Sequence, residues 1–403
     1  MQTQQYTRPF NIFLLLAFLL CSNLFAQPFQ IGHTTITLID TSRNNRSIPT
    51  EIYYPADVAG NNVPVTTVNN DKFPVISFGH GFVMTWDAYQ NIWDSVVPEG
   101  FIIAFPKTET GLSPSHTEFG KDIAFVISEL NALGQNNSSL FYNRIDSMNC
   151  AMGHSMGGGS AFLAAQFSPA VKTLAVLAPA ETNPSAIQAA TSFSIPSLIF
   201  AGENDCVTPP PSNQIPMYDS LQSSCKTFIN INGGSHCQMA DNNSLCSFGE
   251  ATCTPQPTIT RAEQHIVINR YLLPWLKYEL KGDCFSGAQF DSLITIDTSI
   301  VFQKTCLLCN TTSYHENSST FTIKIFPNPF NDKIFIQSNQ SVNSIVIIDL
   351  CLMNGSKIFS QTFSNIKANE NLSFNLREYL PAGIYLLKLT SAGQHIVRKI
   401  VRK

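Results

Sequence analysis

Charge is scarce in this sequence. Only 13% of its 403 residues are Asp, Glu, Lys or Arg, and 24 basic residues stand against 28 acidic ones, a net charge of −4. Without a basic excess there is no electrostatic footprint for nucleic acid, so no nucleic-acid partner is expected. So mild a negative balance also excludes a highly acidic, solvated chain. Beyond residue 26 no apolar run approaches the ~20 residues that a membrane-spanning helix needs, so the mature protein is expected to have no transmembrane segment. No solenoid-type repeat is visible. His-Glu-x-x-His is missing, and the pair Cys306 and Cys309 has no second pair to complete a zinc site, so neither metal nor cofactor is expected.

What the chain does have is apolar bulk. Hydrophobic residues make up 44%, enough for a packed core, and the length suits two or three domains. Eleven cysteines fit an exported protein better than a cytosolic one. The N-terminus agrees. Arg8 precedes a nearly unbroken apolar run from Phe10 to Leu20, and small and mixed residues lead to Ala26. This reads as a secretory signal over residues 1–26, cut near Ala26, with an apolar run too short for an anchor. Bulky Leu20 before Cys21 argues against a lipoprotein signal.

From about residue 30 to 280, strand-like and helix-like stretches alternate. Eight strand candidates are Ile36–Ile39, Thr50–Tyr54, Val75–Phe78, Phe101–Phe105, Met148–Met152, Thr173–Leu177, Leu198–Ala201 and Thr227–Ile231. The middle ones are apolar throughout, as strands covered on both faces should be. Helices are expected over Trp86–Val97 after Thr85, Glu118–Leu133 after Thr117, Met156–Phe167 and Arg261–Lys281. The pattern predicts an α/β domain over 27–283, with a mostly parallel eight-stranded sheet and helices on both sides. Residues 284–318 show little helical period and read as a cysteine-containing tail and linker. Residues 319–403 read as a small all-β sandwich, with six short strands and turns at Asn354-Gly355 and Ala392-Gly393.

The chemistry-bearing signal is Gly153-His154-Ser155-Met156-Gly157, directly after an apolar strand and directly before a helix. A sharp strand-to-helix turn lifts the Ser155 hydroxyl clear of the sheet, and its flanking glycines avoid clashes. The N–H groups that open the helix favour developing negative charge. Ser155 needs a base, and His236 follows a late strand; an acid should follow the strand between. There Asp205 is the first choice and Glu203, on the same loop, the rival. The order Ser155, Asp205, His236 is the one this kind of turn uses. Strand Val75–Phe78 runs into Gly79-His80-Gly81-Phe82, and the N–H groups of Phe82 and Met156 are assigned as the oxyanion hole. The other histidines, His80 and His154 included, read as structural or surface residues.

With these residues in place, the chain resembles the α/β-hydrolase superfamily over roughly residues 50–280. It looks most like secreted cutinase and PET hydrolase-like esterases, and less like chlorophyllases. The motif Gly153 to Gly159, the pair Gly81-Phe82, Asp205 and His236 carry the likeness. The resemblance implies that Phe82 both donates an N–H and packs on substrate, and that Gly81 and Ala180 line the cleft; Trp86 reads as a further cleft residue or as a buried helix tryptophan. Ala180 stands where polyester hydrolases carry a tryptophan after the proline. The chain's end resembles the C-terminal sorting domain of type IX secretion substrates. That likeness rests on Phe326-Pro327-Asn328-Pro329-Phe330, Leu350 to Gly355, Gly383-Ile384-Tyr385 and the basic finish Arg398 to Lys403. It implies the type IX machinery as a partner, and a protein that is secreted or attached to the outer cell surface.

Without Cys21, ten cysteines remain. Cys150 and Cys351 read as free thiols, and the other eight allow on the order of a hundred pairings. The related esterases imply a Cys206–Cys237 staple between the acid and base loops. Plainer pairings are Cys206–Cys225 with Cys237–Cys253 or Cys246–Cys253, and Cys284 with Cys306 or Cys309. The resulting expectation is a serine ester hydrolase acting on short acyl or polyester-like substrates. An amide or peptide hydrolase on the same fold, or a non-catalytic surface adhesin, are the alternatives.

Overall fold

A computed structural model describes residues 29–68, 71–309, 323–342, 345–351, 357–376, 380, 383–391 and 394–402. The expected signal, the linker from 310 to 318, and the turns at Asn354-Gly355 and Ala392-Gly393 lie outside the described residues. The first part of the chain runs β1 (Gln30–Asp40), β2 (Arg46–Ala56), β3 (Gly60–Asn61), β4 (Phe73–Gly79), α1 (Gln90–Val96), β5 (Ile102–Pro106), α2 (His116–Leu133) and β6 (Ile145–His154). It continues through α3 (Met156–Phe167), β7 (Thr173–Leu177), α4 (Ala186–Ala190), β8 (Ser197–Gly202), α5 (Gln214–Ser220) and β9 (Lys226–Ile231). Then follow α6 (Ser244–Glu250), α7 (Arg261–Lys281), α8 (Cys284–Ile294) and β10 (Ile300–Lys304).

These strands form one sheet in the order β10-β9-β8-β7-β6-β4-β5-β2-β1-β3. Strands β4 to β9 are parallel, whereas β2 and β10 join antiparallel at either side. Alternation along the central strands divides the core in two. Phe78, Met152, Leu177, Phe200 and Ile231 face α1, α7 and α8. Ala151, Val176, Ile199 and Phe228 face α2 to α5. Both faces are covered, which is why the strands read as continuous apolar runs.

The expected eight strands become ten. The stretch read as a tail supplies α8 and β10, because Ile300 buries against the sheet while Val301 faces out, and Cys225–Cys306 ties its end to β9. The expected helix Trp86–Val97 is in fact a 3-10 turn, α1 and a second 3-10 turn. The Thr85 hydroxyl bonds Asp87 instead of capping, Pro98 lacks an N–H, and Gly100 ends the stretch at φ 82. Helix α2 starts at His116, capped by Ser115 rather than Thr117, since the Ser115 side chain reaches Glu118 N at 3.2 Å. Helix α7 keeps its expected bounds through a Thr260–Glu263 capping box and Gly282 at φ 65.

The C-terminal region contains β11 (Ile323–Phe326), β12 (Lys333–Ser338), β13 (Val346–Cys351), β14 (Lys357–Phe363), β15 (Asn371–Asn375), β16 (Gly383–Ser391) and β17 (Gln394–Arg402). They pair antiparallel in two sheets, β11-β12-β15 and β14-β13-β16-β17, around one apolar core. Strand β17 was not among the expected strands. Its basic residues disguise it, yet Ile400 within it is fully buried. Among the described residues, no helix is long and apolar enough to cross a membrane.

Candidate active site

Strand β6 ends at His154 and α3 begins at Met156, so the whole reversal falls on Ser155, at φ 56 and ψ −122. A non-glycine residue in this region is strained, and the surroundings hold it there. Ser155 N donates to Leu177 O at 3.0 Å, and Ser155 O accepts from Ala180 N at 2.9 Å. The glycines are a matter of space. A Cβ on Gly157 would lie 2.1 Å from the Gly79 carbonyl oxygen, and one on Gly153 would lie 2.4 Å from Gly157 O. The start of α3 therefore rests directly on the end of β4, next to the Gly81-Phe82 turn.

The loops after β8 and β9 bring the other two residues to this rim of the sheet. His236 Nε2 lies 2.9 Å from Ser155 Oγ, and His236 Nδ1 lies 2.8 Å from Asp205 Oδ2. All three residues are buried or nearly so. Asp205 Oδ1 accepts from the N–H groups of Val207 and Thr208, at 2.9 and 2.8 Å, which pins the carboxylate. Glu203, the rival acid, turns away and accepts from Gly233 N at 2.7 Å.

Met156, as the first residue of α3, has no intrahelical partner for its N–H. Phe82 is 44% exposed, which leaves an apolar side chain open to solvent. Gly81 is buried behind Phe82. Its N–H donates to Tyr89 Oη at 2.8 Å, and Tyr89 Oη lies 3.0 Å from His154 Nδ1. The His154 ring packs 4.7 Å from that of His236. Burial, aided by the neighbouring His236, pushes His154 well below the usual histidine range, and burial pushes the Tyr89 phenol up. His154 is thus a neutral spacer beneath the imidazole.

Trp86 is half-buried, with Lys107 Nζ 4.3 Å over its ring, and it lines a cavity of about 160 Å³ with His80, Thr85, Lys107 and Thr110. Ala180 is half-buried beside the Ser155 turn, where its carbonyl excludes any Cβ on Gly159. Among the described residues, no cluster of three His, Cys, Asp or Glu side chains could hold a metal ion.

The cysteine expectation needs correction. Cys206 pairs with Cys253, and Cys237 pairs with Cys246, so the loops carrying Asp205 and His236 are not joined to each other by a disulfide. Nor are Cys206–Cys225, Cys237–Cys253 or Cys246–Cys253 formed. The segment carrying α6 supplies a partner to each loop and clasps both. Cys225–Cys306 and Cys284–Cys309 complete the set, while Cys150 and Cys351 are free and buried. The two clasps enclose different loops, with sequence separations of 47 and 9. Replacing Cys206 and Cys253 by serine is therefore expected to cost about 4 kcal/mol in a urea titration, against about 2.5 kcal/mol for Cys237 and Cys246.

Sequence reasoning missed Thr208, Gln214 and Tyr89, all of which touch the site. Only Thr208, three residues past Asp205, carried a local signal; the other two reach it through the fold alone.

Residues 25–252 match the family model described as PET hydrolase-like, and residues 324–403 match that of the secretion system C-terminal sorting domain. Cutinase 1 of Thermobifida cellulosilytica is 25% identical over 211 residues, covering 52% of this chain and 72% of that protein. A cutinase of Thermobifida fusca is also 25% identical over 211 residues, covering 52% of this chain and 62% of its own length. A bis(hydroxyethyl) terephthalate hydrolase of Streptomyces coelicolor shows the same identity over 211 residues, with 52% and 61% covered.

Proposed function

The chain belongs to the PET hydrolase-like family, and on that premise we propose that it is a serine hydrolase of carboxylic esters, acting on short acyl or polyester-like substrates. Its sorting domain puts it on the type IX route to the outer surface or the medium. The observation that carries the proposal is the line Ser155 Oγ, His236 and Asp205, at 2.9 and 2.8 Å.

Ser155 Oγ attacks the ester carbonyl carbon while His236 Nε2 takes its proton. Asp205 holds the Nδ1–H and stabilises the imidazolium. The carbonyl oxygen gains the negative charge and receives the N–H groups of Phe82 and Met156. Collapse expels the alcohol, which leaves with the proton from Nε2, and an acyl-Ser155 remains. Water then attacks by the same route and frees the acid and the serine. The exposed Phe82 ring offers the substrate an apolar wall, and the names of the relatives, cutinase and bis(hydroxyethyl) terephthalate hydrolase, favour polyester-like substrates.

The test is covalent. A fluorophosphonate is expected to label the purified protein at Ser155, and p-nitrophenyl butyrate to be turned over faster than the matching anilide. Faster cleavage of the anilide makes the protein an amide hydrolase. Neither label nor turnover leaves the adhesin reading. A series of acyl lengths then defines the substrate.

A further inference from the structure

We infer that Thr208 is a positioning residue for the Asp205–His236 pair: its hydroxyl locks carboxylate and imidazole in one arrangement, and the buried Gln214 sets the direction of that hydroxyl. This rests on the reading of Ser155, His236 and Asp205 as the reacting set.

Thr208 Oγ1 has four polar neighbours. It lies 2.9 Å from Asp205 Oδ2, 3.0 Å from His236 Nδ1, 3.1 Å from Gln214 Nε2 and 3.2 Å from Ala178 O. The hydroxyl has one proton to give and two lone pairs to receive. Gln214 is fully buried, and its amide also lies 2.7 Å from Pro179 O. That carbonyl can only accept, so Nε2, not Oε1, must face it; a flipped amide would set two acceptors against each other. The second Nε2 proton then enters a Thr208 lone pair. The threonine proton must therefore leave in another direction. The Asp205 oxygen at 2.9 Å is closer than the Ala178 carbonyl at 3.2 Å, and its charge makes it the stronger acceptor.

Asp205 consequently receives four hydrogen bonds. Two backbone N–H groups reach Oδ1, while the Thr208 hydroxyl and the imidazole N–H reach Oδ2. The carboxylate cannot turn about its terminal bond without breaking at least two of them. The imidazole N–H meets Oδ2 and Oγ1 together, which fixes the ring plane and aims Nε2 at Ser155 Oγ. Without the hydroxyl, the ring keeps its partner but loses its fixed orientation, and the attack geometry is populated less.

The experiment measures kcat and KM on p-nitrophenyl butyrate for the whole protein and its variants. Thr208→Val is expected to lower kcat about tenfold, with KM within about twofold. Thr208→Ser, which restores the hydroxyl, should recover to within about threefold of the parent. Gln214→Leu should lose about threefold, and the double variant Thr208→Val/Gln214→Leu should be no slower than Thr208→Val alone, because Gln214 acts through the hydroxyl. The downfield proton NMR signal of the His236 imidazole N–H should move in Thr208→Val and in Gln214→Leu, which covers the case where Thr208→Val does not fold. Parental kcat in Thr208→Val, a Thr208→Ser as slow as Thr208→Val, multiplying losses in the double variant, or an unmoved imidazole signal would each overturn the inference. Failure of the underlying reading shows separately, as full turnover in Ser155→Ala.

Discussion

Ser155→Ala is expected to lower kcat for ester hydrolysis by about 10⁵- to 10⁶-fold, with little change in KM. The size of the loss follows from the division of labour in the site. His236 Nε2 has one serine oxygen at 2.9 Å, and Ser160, the next serine along α3, is fully buried. The Phe82 and Met156 N–H groups and the cleft survive the substitution, so a residual 10³- to 10⁴-fold acceleration over water should remain. The methyl group of alanine fits where the serine Cβ already sits, so the thermal midpoint should hold. Steady-state rates on p-nitrophenyl butyrate, with intact-mass detection of the fluorophosphonate adduct, check the result. A variant that keeps more than about a tenth of parental kcat would put the nucleophile elsewhere.

Gly157→Ala is the second large effect, and it acts on folding. The new Cβ would lie 2.1 Å from Gly79 O, 2.2 Å from Gly79 C and 2.5 Å from His80 O. All three are main-chain atoms of a buried strand end, so no rotamer change relieves the clash. Either α3 withdraws from β4 or the end of β4 shifts, and both movements disrupt buried packing. A cost above about 4 kcal/mol is expected. Soluble yield should collapse, and any folded remainder should have lost turnover, because the same displacement moves Met156 away from Phe82, the two residues proposed to bind the oxyanion. Gly111→Ala is the control: nothing lies within 4 Å of its Cβ position, and its urea midpoint should match the parent.

The sequence disclosed those parts of the molecule whose constraints are local. The runs around Val75–Phe78 and Met148–Met152 declared buried strands because both faces of each are covered. The Ser155 turn was visible because its backbone reversal leaves room for glycine alone at 153 and 157. Helix α7 was readable to its ends because Thr260, Glu263 and Gly282 terminate it by local bonds. What stayed hidden depends on approach through space. Gln214 reaches Thr208, and Tyr89 reaches Gly81 and His154, by packing that no spacing encodes. The partners of Cys206 and Cys237 were hidden too, because the segment carrying α6 supplies a cysteine to each of two loops that the resemblance joins directly. Strands β10 and β17 are edge strands in which Ile300 and Ile400 are buried beside exposed neighbours, so their apolar signal is thin.

The edge position of β10 bears on how the protein can mature. Pairing with β9 through Ile300–Lys304 shields a row of main-chain groups on a central-type strand. A proteolytic cut just before residue 300 would not release the C-terminal module, because Cys225–Cys306 and Cys284–Cys309 would still hold it to the first domain. Only reduction of both bonds would then free β10 and bare the edge of β9 to strand-to-strand aggregation. A processing protease that left a durable enzyme would have to cut between Cys309 and Ile323, after the last cysteine clasp and before the first strand of the sandwich.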